Sequence, residues 1–488
     1  MARKINLLDK GIIRLLSDGE IKRIHESTIT ALEDIGIFVL HPDGLALLAD
    51  VGAKVDMKTK LAKIPPSIVE DCLNTVPKNF TLAGRDPEND LVLEADGKVY
   101  ARNGGGPGHI VDIDTGLIRE ATLTDVRDHV RLVDASENIN IVAPIYAQDT
   151  KPETRDIQTL SMMFANTTKH INMRLLNRHS LPYVMKMAEV VAGGKEALRE
   201  RPLITMLESP ISPLKLPDVL IDILITCGEN FIPVEICSMP IVGATGPITL
   251  AGSLLLANIE MVASVVISQL VQPGAPLIFT PRVMVMDMTS GYALTGSIEN
   301  ALLASAGVQL AHDAYQIPVN MHGPYTDSHI SDIQAGIENT YFSFLPTLSG
   351  ADILTGAGHL NGGLVVSFSQ LMIDNELMGI TQRALKGLEV DSDRLGLNAI
   401  ARSIDSDNLL TDDHTMKYLR NEMRFKPALQ VREQREDWVR KGSKGMKTQA
   451  DERVRKLLAS HEPTLLDPVI KRVLGEVNDE AERKFPNK

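Results

Sequence analysis

The sequence predicts an α/β protein built on a (β/α)₈ TIM barrel, with an N-terminal α+β extension and a C-terminal helical tail. The main observation is that, from about residue 122, apolar runs of four to eight residues alternate with helical patterns. Such runs are typical of parallel strands that are buried on both faces. Seven strands and eight helices can be placed, and so many consecutive units favour a closed barrel over an open sheet. The eighth strand has no assigned position.

The N-terminal extension is assigned to residues 1–120 and is expected to pack on the barrel. A helical pattern begins after Asp18. Residues 80–120 indicate short strands, with a turn signal at Asn103-Gly104. The pattern changes at about residue 122, and this change sets the boundary.

The barrel is assigned to residues 121–405. Its strands are expected at seven apolar runs, each followed by a helical pattern. The runs cover residues 141–146, 170–176, 202–209, 233–238, 276–281, 317–323 and 351–358.

The C-terminal tail is assigned to residues 406–488. From about residue 415 it contains more Lys and Arg than Asp and Glu, and it holds the only tryptophan, Trp438. Two interpretations are open: helices that wrap the barrel or a neighbouring subunit, and a solvated helical extension, which is preferred.

Composition excludes several classes of protein. The formal charge of −13 and an aromatic content of 4% disfavour a nucleic-acid partner. The three cysteines have no disulfide spacing, which indicates a reducing cytoplasm. The longest apolar stretch, about 248–271, is interrupted by Asn258, Glu260 and Gln269. It is therefore predicted to be a buried helix and not a membrane span.

Motifs for resident cofactors are missing. The sequence has no P-loop, and its glycine clusters at 103–108 and 356–363 lack the strand and helix context of a dinucleotide site. Cys227 and Cys237 lack zinc-ligand spacing and are expected in the core. No metal site and no tightly bound cofactor are expected in this chain.

Reactive side chains are concentrated between residues 320 and 379, where two predicted strands end in polar or glycine-rich loops. In parallel barrels the carboxyl ends of strands carry the active site. The candidates in this segment are His322, Tyr325, Asp327, Ser328, His329 and His359.

Further candidates come from other predicted strand ends. Glu208 and Glu235 either face a cation or pair with a barrel arginine such as Arg174 or Arg282, and both alternatives stay open. Phe279 is an aromatic that can line a cation cage or pack in the core.

Two candidates lie ahead of the predicted barrel. Tyr100 and Asn103 belong to the preceding loop and are expected to cover a substrate.

Several phrases resemble the trimethylamine methyltransferase family of corrinoid-dependent enzymes. They include TDSHISDIQAGIENTYFSFLPTLSGADILTGAGHL, PVEICSMPIVGATGPITLAG, QLVQPGAPLIF and QLMIDNE, and the similarity extends from about residue 15 to 475. The resemblance implies a (β/α)₈ barrel. It also implies transfer of a methyl group from an amine to the Co(I) of a separate small corrinoid-binding protein.

One departure from the family pattern bears on the substrate. The trimethylamine enzymes of methanogens carry pyrrolysine in the loop that corresponds to residues 326–329, where this chain has Thr326, Asp327, Ser328 and His329. The chain therefore resembles the non-pyrrolysine branch, whose known members demethylate quaternary amines such as glycine betaine, proline betaine and carnitine.

Such a reaction requires little acid–base chemistry. The nitrogen of a quaternary amine is already fully charged, so Co(I) can displace a tertiary amine in line without a proton donor. His359, Asp327 and His329 are therefore expected to position the substrate. The nearest match to a cobalamin-binding DxHxxG motif has Asp332 where the glycine belongs, so the corrinoid is expected on the partner protein.

Two other functions are considered. One is a barrel lyase or hydrolase that acts on a small carboxylate without a corrinoid. The other is a non-catalytic barrel that binds a betaine. In each case a homo-oligomer is expected.

Overall fold

A closed barrel of eight parallel strands forms the centre of the molecule. The computed structural model describes residues 13–94, 97–406, 408–422 and 425–485. Numbered in chain order, the strands are β1 (Tyr100–Asn103), β2 (Ile141–Val142), β3 (His170–Arg174), β4 (Ile204–Glu208), β5 (Val234–Ser238), β6 (Leu277–Pro281), β7 (Asn320–His322) and β8 (Ile353–Ala357). The hydrogen-bonded order is β6-β5-β4-β3-β2-β1-β8-β7. The Phe279 amide donates to the Pro318 carbonyl at 2.8 Å and joins β6 to the segment before β7. The predicted barrel is confirmed.

Each barrel strand is followed by a helix. The helices are α1 (Leu123–Asp134), α2 (Arg155–Asn166), α3 (Leu181–Ala192), α4 (Asp218–Asn230), α5 (Leu250–Val271), α6 (Ile298–Gln309), α7 (Ile333–Leu348) and α8 (Phe368–Leu385). Local sequence fixes their starts: Thr122 and Asp125 form a capping box at α1, and the Asp332 side chain accepts from the Ala335 amide at α7.

The eighth strand, which had no assigned position, is β1. It lies at Tyr100–Asn103, inside the segment assigned to the N-terminal extension, and pairs with β8 and β2. The barrel therefore begins before the predicted boundary at residue 120. The strand is short and carries Arg102 and Asn103, so it lacks the apolar run that marks the other strands.

Helix α5 is the most apolar helix in the described part of the chain. By length and composition alone it could cross a membrane, but 78% of its apolar window is buried inside the protein. Its packing against α4 and against the strands β5 and β6 accounts for that composition.

The N-terminal residues form a small α+β layer. Its helices are Asp18–Thr30, Pro42–Asp50 and Pro66–Thr75, and its strands are Ile37–Val39, Lys54–Asp56, Leu61–Lys63, Phe80–Leu82 and Leu91–Leu93. The hairpin of the last two strands closes the amino-terminal end of the barrel. Its Leu82, Leu91 and Leu93 side chains pack with Ile278 and Ile353 from the barrel interior.

The opposite end of the barrel is surrounded by short strands from the connecting loops. One sheet joins the loop after β1 to the loop after β8 through strands His109–Val111, Ile118–Glu120, His359–Leu360 and Val365–Val366. Another joins the loops after β5 and β6 through strands Ile241–Val242, Met284–Met286 and Ala293–Leu294. These sheets hold the loops that carry the candidate residues.

The C-terminal tail consists of the helices Leu397–Ser406, Asp413–Glu422, Arg435–Arg440, Met446–Ser460 and Pro468–Lys484. The last two pack on the barrel helices, with Val454, Leu474 and Val477 buried. For this part of the tail the preferred interpretation, a solvated extension, is wrong. An apolar stripe beneath the charged residues joins these helices to the barrel.

Candidate active site

A buried polar network occupies the barrel interior around Glu235. The Glu235 Oε2 atom lies 2.5 Å from Arg102 Nη1 and accepts a hydrogen bond from Asn172 Nδ2 at 2.8 Å. Its Oε1 atom accepts from Asn320 Nδ2 at 2.8 Å and lies 3.4 Å from Arg282 Nη2. Glu235 therefore pairs with barrel arginines, which was one of the two alternatives for this residue.

The network extends across the barrel, because its members come from different strands or from the residue that directly follows a strand. Arg102 lies on β1, Asn172 on β3, Asn320 on β7, and Arg282 directly follows β6. Breaking a buried ion pair by removing one partner costs about 3–5 kcal/mol, since the other charge is left uncompensated. Glu235 thus serves as the common acceptor that orients these side chains.

Above this network, toward the carboxyl ends of the strands, three rings form an aromatic cluster: His322, Tyr325 and His359. The His322 and Tyr325 rings are stacked with centroids 4.7 Å apart, and the Tyr325 and His359 rings meet edge to face at 5.0 Å. The structure thus brings together three candidates that are up to 37 positions apart in the chain.

The members of the aromatic cluster are neutral. Burial lowers the pKa of His359 to about 3 and lowers the pKa of His322 well below its ordinary value. Burial also raises the pKa of Tyr325 to about 12. At neutral pH the two imidazoles and the phenol therefore present uncharged rings, which suits the binding of a cation more than proton transfer.

His359 is held by shape. A Cβ atom added at Gly104 would lie 2.2 Å from its Nε2 atom, so the ring lies directly on the Gly104 backbone. Neither ring nitrogen has a hydrogen-bond partner in the described part of the chain. The ring is buried with both nitrogens unpaired, and its positioning role stays a prediction.

The loop at residues 326–329 uses most of its polar groups to hold its own shape. Asp327 Oδ1 accepts from the Thr295 hydroxyl at 2.6 Å and from its amide at 2.9 Å. The Ser328 hydroxyl donates to Asp332 Oδ1 at 2.9 Å. His329 is exposed to solvent. Asp327 thus connects the loops after β6 and β7.

Glu208 and Asn103 make polar contacts with their neighbours in the barrel. Glu208 is buried at the end of β4, with Oε1 3.9 Å from Arg174 Nη2, and burial raises its pKa. Asn103 joins β1 to β2, because its side chain bonds both the amide and the carbonyl of Ala143.

Two predicted substrate contacts are placed elsewhere by the fold. The Tyr100 ring packs with the hairpin that closes the amino-terminal end, and its hydroxyl donates to the Val92 carbonyl at 3.2 Å. The Phe279 ring lies 5.6 Å from the ring of Tyr315 and belongs to the core between β6 and the helices. Strand alternation directs Phe279 outward, because its neighbours Ile278 and Thr280 point inward.

Sequence reasoning did not select Arg102, Asn172 or Asn320 as members of the site. The available signal was a polar residue inside an otherwise apolar run, as in HINMR and IPVNMHG. A buried polar side chain in a barrel strand requires a partner across the barrel. That partner lies on another strand and cannot be identified from one run alone.

The sequence matches the family described as "Trimethylamine methyltransferase (MTTB)" over residues 4–485. A relative named trimethylamine methyltransferase MttB, from Desulfitobacterium hafniense (strain DSM 10664 / DCB-2), is 33% identical over 99% of each chain. A glycine betaine methyltransferase from Desulfitobacterium hafniense (strain Y51) is 31% identical over 93% of this chain and 94% of its own length.

Among solved structures, the monomethylamine methyltransferase MtmB of Methanosarcina barkeri shares the fold. The TM-score is 0.55 at 14% identity, and the match covers 94% of this chain and 90% of that one. The structural match shows the fold alone, whereas the full-length sequence similarity shows the family. The chain belongs to the trimethylamine methyltransferase family, and it is a methyltransferase.

Proposed function

We propose that the enzyme transfers a methyl group from a quaternary amine of the glycine betaine class to the Co(I) of a corrinoid carried by a separate small protein. The observation that carries this proposal is the neutral aromatic cluster at the barrel mouth. Aromatic faces attract a cation by about 0.5–2 kcal/mol each. A quaternary ammonium retains its charge without donating a hydrogen bond, and it suits such a surface.

For this reaction the chain must bind the ammonium, orient one methyl group and exclude water. The C–N bond of one methyl group breaks, its electron pair leaves with the tertiary amine, and no proton is required. The corrinoid supplies the nucleophilic electron pair that receives the methyl group. His359 and the other rings hold the ammonium so that one methyl group faces the barrel mouth. The ordinary residues at 326–329, where the resemblance places pyrrolysine in the methanogen enzymes, support the non-pyrrolysine branch.

The rim of the barrel mouth offers a docking surface for the corrinoid-binding protein. Exposed apolar side chains follow β1, β4, β5, β6, β7 and β8: Leu117, Ile211, Ile248, Met288, Ile330, Ile333 and Leu364. We infer that these side chains form the surface on which the partner docks, since contiguous exposed apolar surface marks protein interaction sites. In the described part of the chain, no group of three or more His, Cys, Asp or Glu residues is placed to hold a metal ion.

A methyl-transfer assay tests the proposal. The purified chain is mixed with a cognate Co(I) corrinoid protein and, separately, with glycine betaine, proline betaine, carnitine, γ-butyrobetaine and trimethylamine. We expect the absorbance of methyl-Co(III) with at least one betaine. Absence of that signal with every quaternary amine would contradict the proposal.

The two alternative functions make different predictions for the same assay. A lyase or hydrolase would turn over a small carboxylate without the corrinoid protein and with a bell-shaped pH profile. The low pKa of His359, about 3, argues against that function near neutral pH. A binding barrel would retain a betaine in calorimetry and yield no methyl transfer.

A second copy of this chain is the proposed occupant of an apolar face on the tail. On helix Leu397–Ser406 the side chains of Leu397, Ile400 and Ile404 are 69%, 56% and 83% exposed. Their spacing places them on one side of the helix. A homo-oligomer would bury this face.

The proposed compartment is a reducing cytoplasm, which suits the three cysteines because all are free and buried.

A further inference from the structure

The network around Glu235 contains more positive than negative charge. Arg102 makes the short contact, 2.5 Å from Nη1 to Glu235 Oε2, whereas Arg282 Nη2 approaches Oε1 only to 3.4 Å. Guanidinium groups remain charged in proteins. In the described part of the chain, Arg282 has no other carboxylate within ion-pair distance. One carboxylate therefore serves two guanidiniums, and Arg282 is the less satisfied of them.

Arg282 also has an unused hydrogen-bond donor. Its Nε atom is buried and has no hydrogen-bond partner among the described residues, and only 9% of the residue is exposed. The Nε atom of Arg102 is likewise without a partner, but both terminal nitrogens of Arg102 contact Glu235. A buried donor on a charged group is costly to leave unpaired. An anion beside Arg282 would satisfy both its charge and this donor.

Arg282 lies close enough to influence the whole aromatic cluster. After burial, its positive charge is the next factor that lowers the pKa of His322 and the next that opposes the raised pKa of Tyr325. It contributes to the low pKa of His359 as well. The cluster itself is neutral, so Arg282 supplies positive charge at the level where the substrate would lie.

We infer that Arg282 binds a carboxylate of the substrate, so that the preferred quaternary amine also carries an acid group. This inference rests on the proposed function. A guanidinium presents parallel N–H donors that match the two oxygens of a carboxylate. The carboxylate would take the position beside Arg282, and the ammonium would face the rings of the aromatic cluster. A betaine has both groups, whereas trimethylamine has no acid group.

Calorimetry on the full chain with a matched pair of ligands tests this role. Glycine betaine is compared with its amide, (carbamoylmethyl)trimethylammonium, which keeps the size and the ammonium but has no negative charge. We expect the wild type to bind the betaine roughly 10- to 100-fold more tightly than the amide, because the loss of a hydrogen bond between charged groups changes an affinity by about this factor. In Arg282→Gln this ratio should fall to near one.

Two further variants complete the design. Arg282→Lys keeps the positive charge and loses the parallel N–H donors of the guanidinium, so it should retain part of the preference for the betaine. If Arg282→Gln does not fold, Arg282→Lys serves as the test variant. Arg472→Gln removes an exposed arginine on the tail, whose surface ion pair contributes little to stability. It should bind both ligands as the wild type does.

The outcomes separate this inference from the proposed function. Equal affinity of the wild type for both ligands, or an unchanged ratio in Arg282→Gln and Arg282→Lys, would overturn the role of Arg282 while leaving methyl transfer intact. Binding with the expected ratio but without methyl transfer would overturn the proposed reaction alone. Failure of both ligands to bind and to react would overturn both.

Discussion

At the scale of single residues, the site depends on close approach between backbone and rings. Gly104 is required where it stands because His359 occupies the space that any side chain would need. The position of the His359 ring therefore requires a glycine 255 positions earlier in the chain. No pattern within either loop reveals it.

Substitution Gly104→Ala should displace the His359 ring. The added Cβ would lie 2.2 Å from Nε2, so the ring must move or the strand must shift. We expect a reduction of methyl transfer by tenfold or more, while circular dichroism and the thermal midpoint stay near the wild-type values.

The control for Gly104→Ala is Gly336→Ala on α7, where an added Cβ meets nothing within 4 Å. This variant should keep full activity. Undiminished transfer in Gly104→Ala would show that the position of His359 is not needed.

Buried neutral histidines should make the protein sensitive to acid. Burial lowers the pKa of His129 to about 4, while an unfolded histidine titrates near 6.5. Below pH 6.5 the unfolded state binds the proton and the folded state does not. The free energy of unfolding therefore falls as pH falls from about 6.5 toward 4, by roughly 1 kcal/mol per pH unit for this group.

Urea denaturation near pH 7 and near pH 5.5 measures this effect. His129 packs beside Phe368, with ring centroids 6.0 Å apart, so His129→Leu should be tolerated there. The variant should lose less stability than the wild type between the two pH values. An identical loss in both proteins would mean that His129 does not titrate as described.

At the scale of elements, one carboxylate on α7 supports the loop at residues 326–329. Glu338 Oε2 accepts from the Thr326 hydroxyl at 2.5 Å and from the Asp327 amide at 2.8 Å. Asp327 in turn accepts from the Thr295 and Gly296 amides. A helix, two loops and the strand ends that they follow are therefore connected through two acidic side chains.

Substitution Glu338→Gln should loosen this loop, because the two hydrogen bonds that Oε2 accepts lose the additional strength given by the negative charge of the carboxylate. The expected loss of stability is about 1–3 kcal/mol. Hydrogen exchange should become faster for amides at residues 323–332, and methyl transfer should decrease.

Glu299→Gln is the matched control, since Glu299 is exposed on α6. It should leave hydrogen exchange in the loop unchanged. Exchange in Glu338→Gln that equals the wild type would show that the loop is held by other contacts.

The same scale shows how far the sequence could be interpreted. Apolar periodicity predicts seven of the eight barrel strands, because a strand buried on both faces must be apolar over several residues. Strand β1 does not follow this pattern, because two of its four residues, Arg102 and Asn103, are buried polar groups. The partner that makes a buried arginine acceptable in this strand is Glu235, which lies on another strand of the barrel.

The candidate site was partly predictable for a related reason. Position after a strand identified His322, Tyr325 and His359, which the fold brings together. The same rule selected Phe279, yet whether a side chain points into a barrel depends on strand register. That register is set by pairing with neighbours and is not visible in a single run.

At the scale of the whole molecule, the apolar side chains of helix Leu397–Ser406 are exposed, and we expect a second copy of the chain to cover them. The double variant Ile400→Asp, Ile404→Asp places two charges on that face. If a second copy covers it, the mass measured by light scattering should fall from that of an oligomer to the 53.3 kDa of a single chain.

Leu465→Asp provides the control for this experiment, because Leu465 is exposed elsewhere on the tail. It should keep the wild-type mass. A wild type that is already monomeric, or an oligomer that survives both charges, would exclude this face as the interface.

The hairpin that closes the amino-terminal end of the barrel has a kinetic consequence. Because Leu82, Leu91 and Leu93 are packed into that end, we expect the proposed amine to enter and leave through the mouth. The same mouth is where the corrinoid-binding protein would dock. The reaction should therefore follow a compulsory order in which the amine binds first and the demethylated amine leaves last, and excess corrinoid protein should act as a substrate inhibitor that is competitive with the amine.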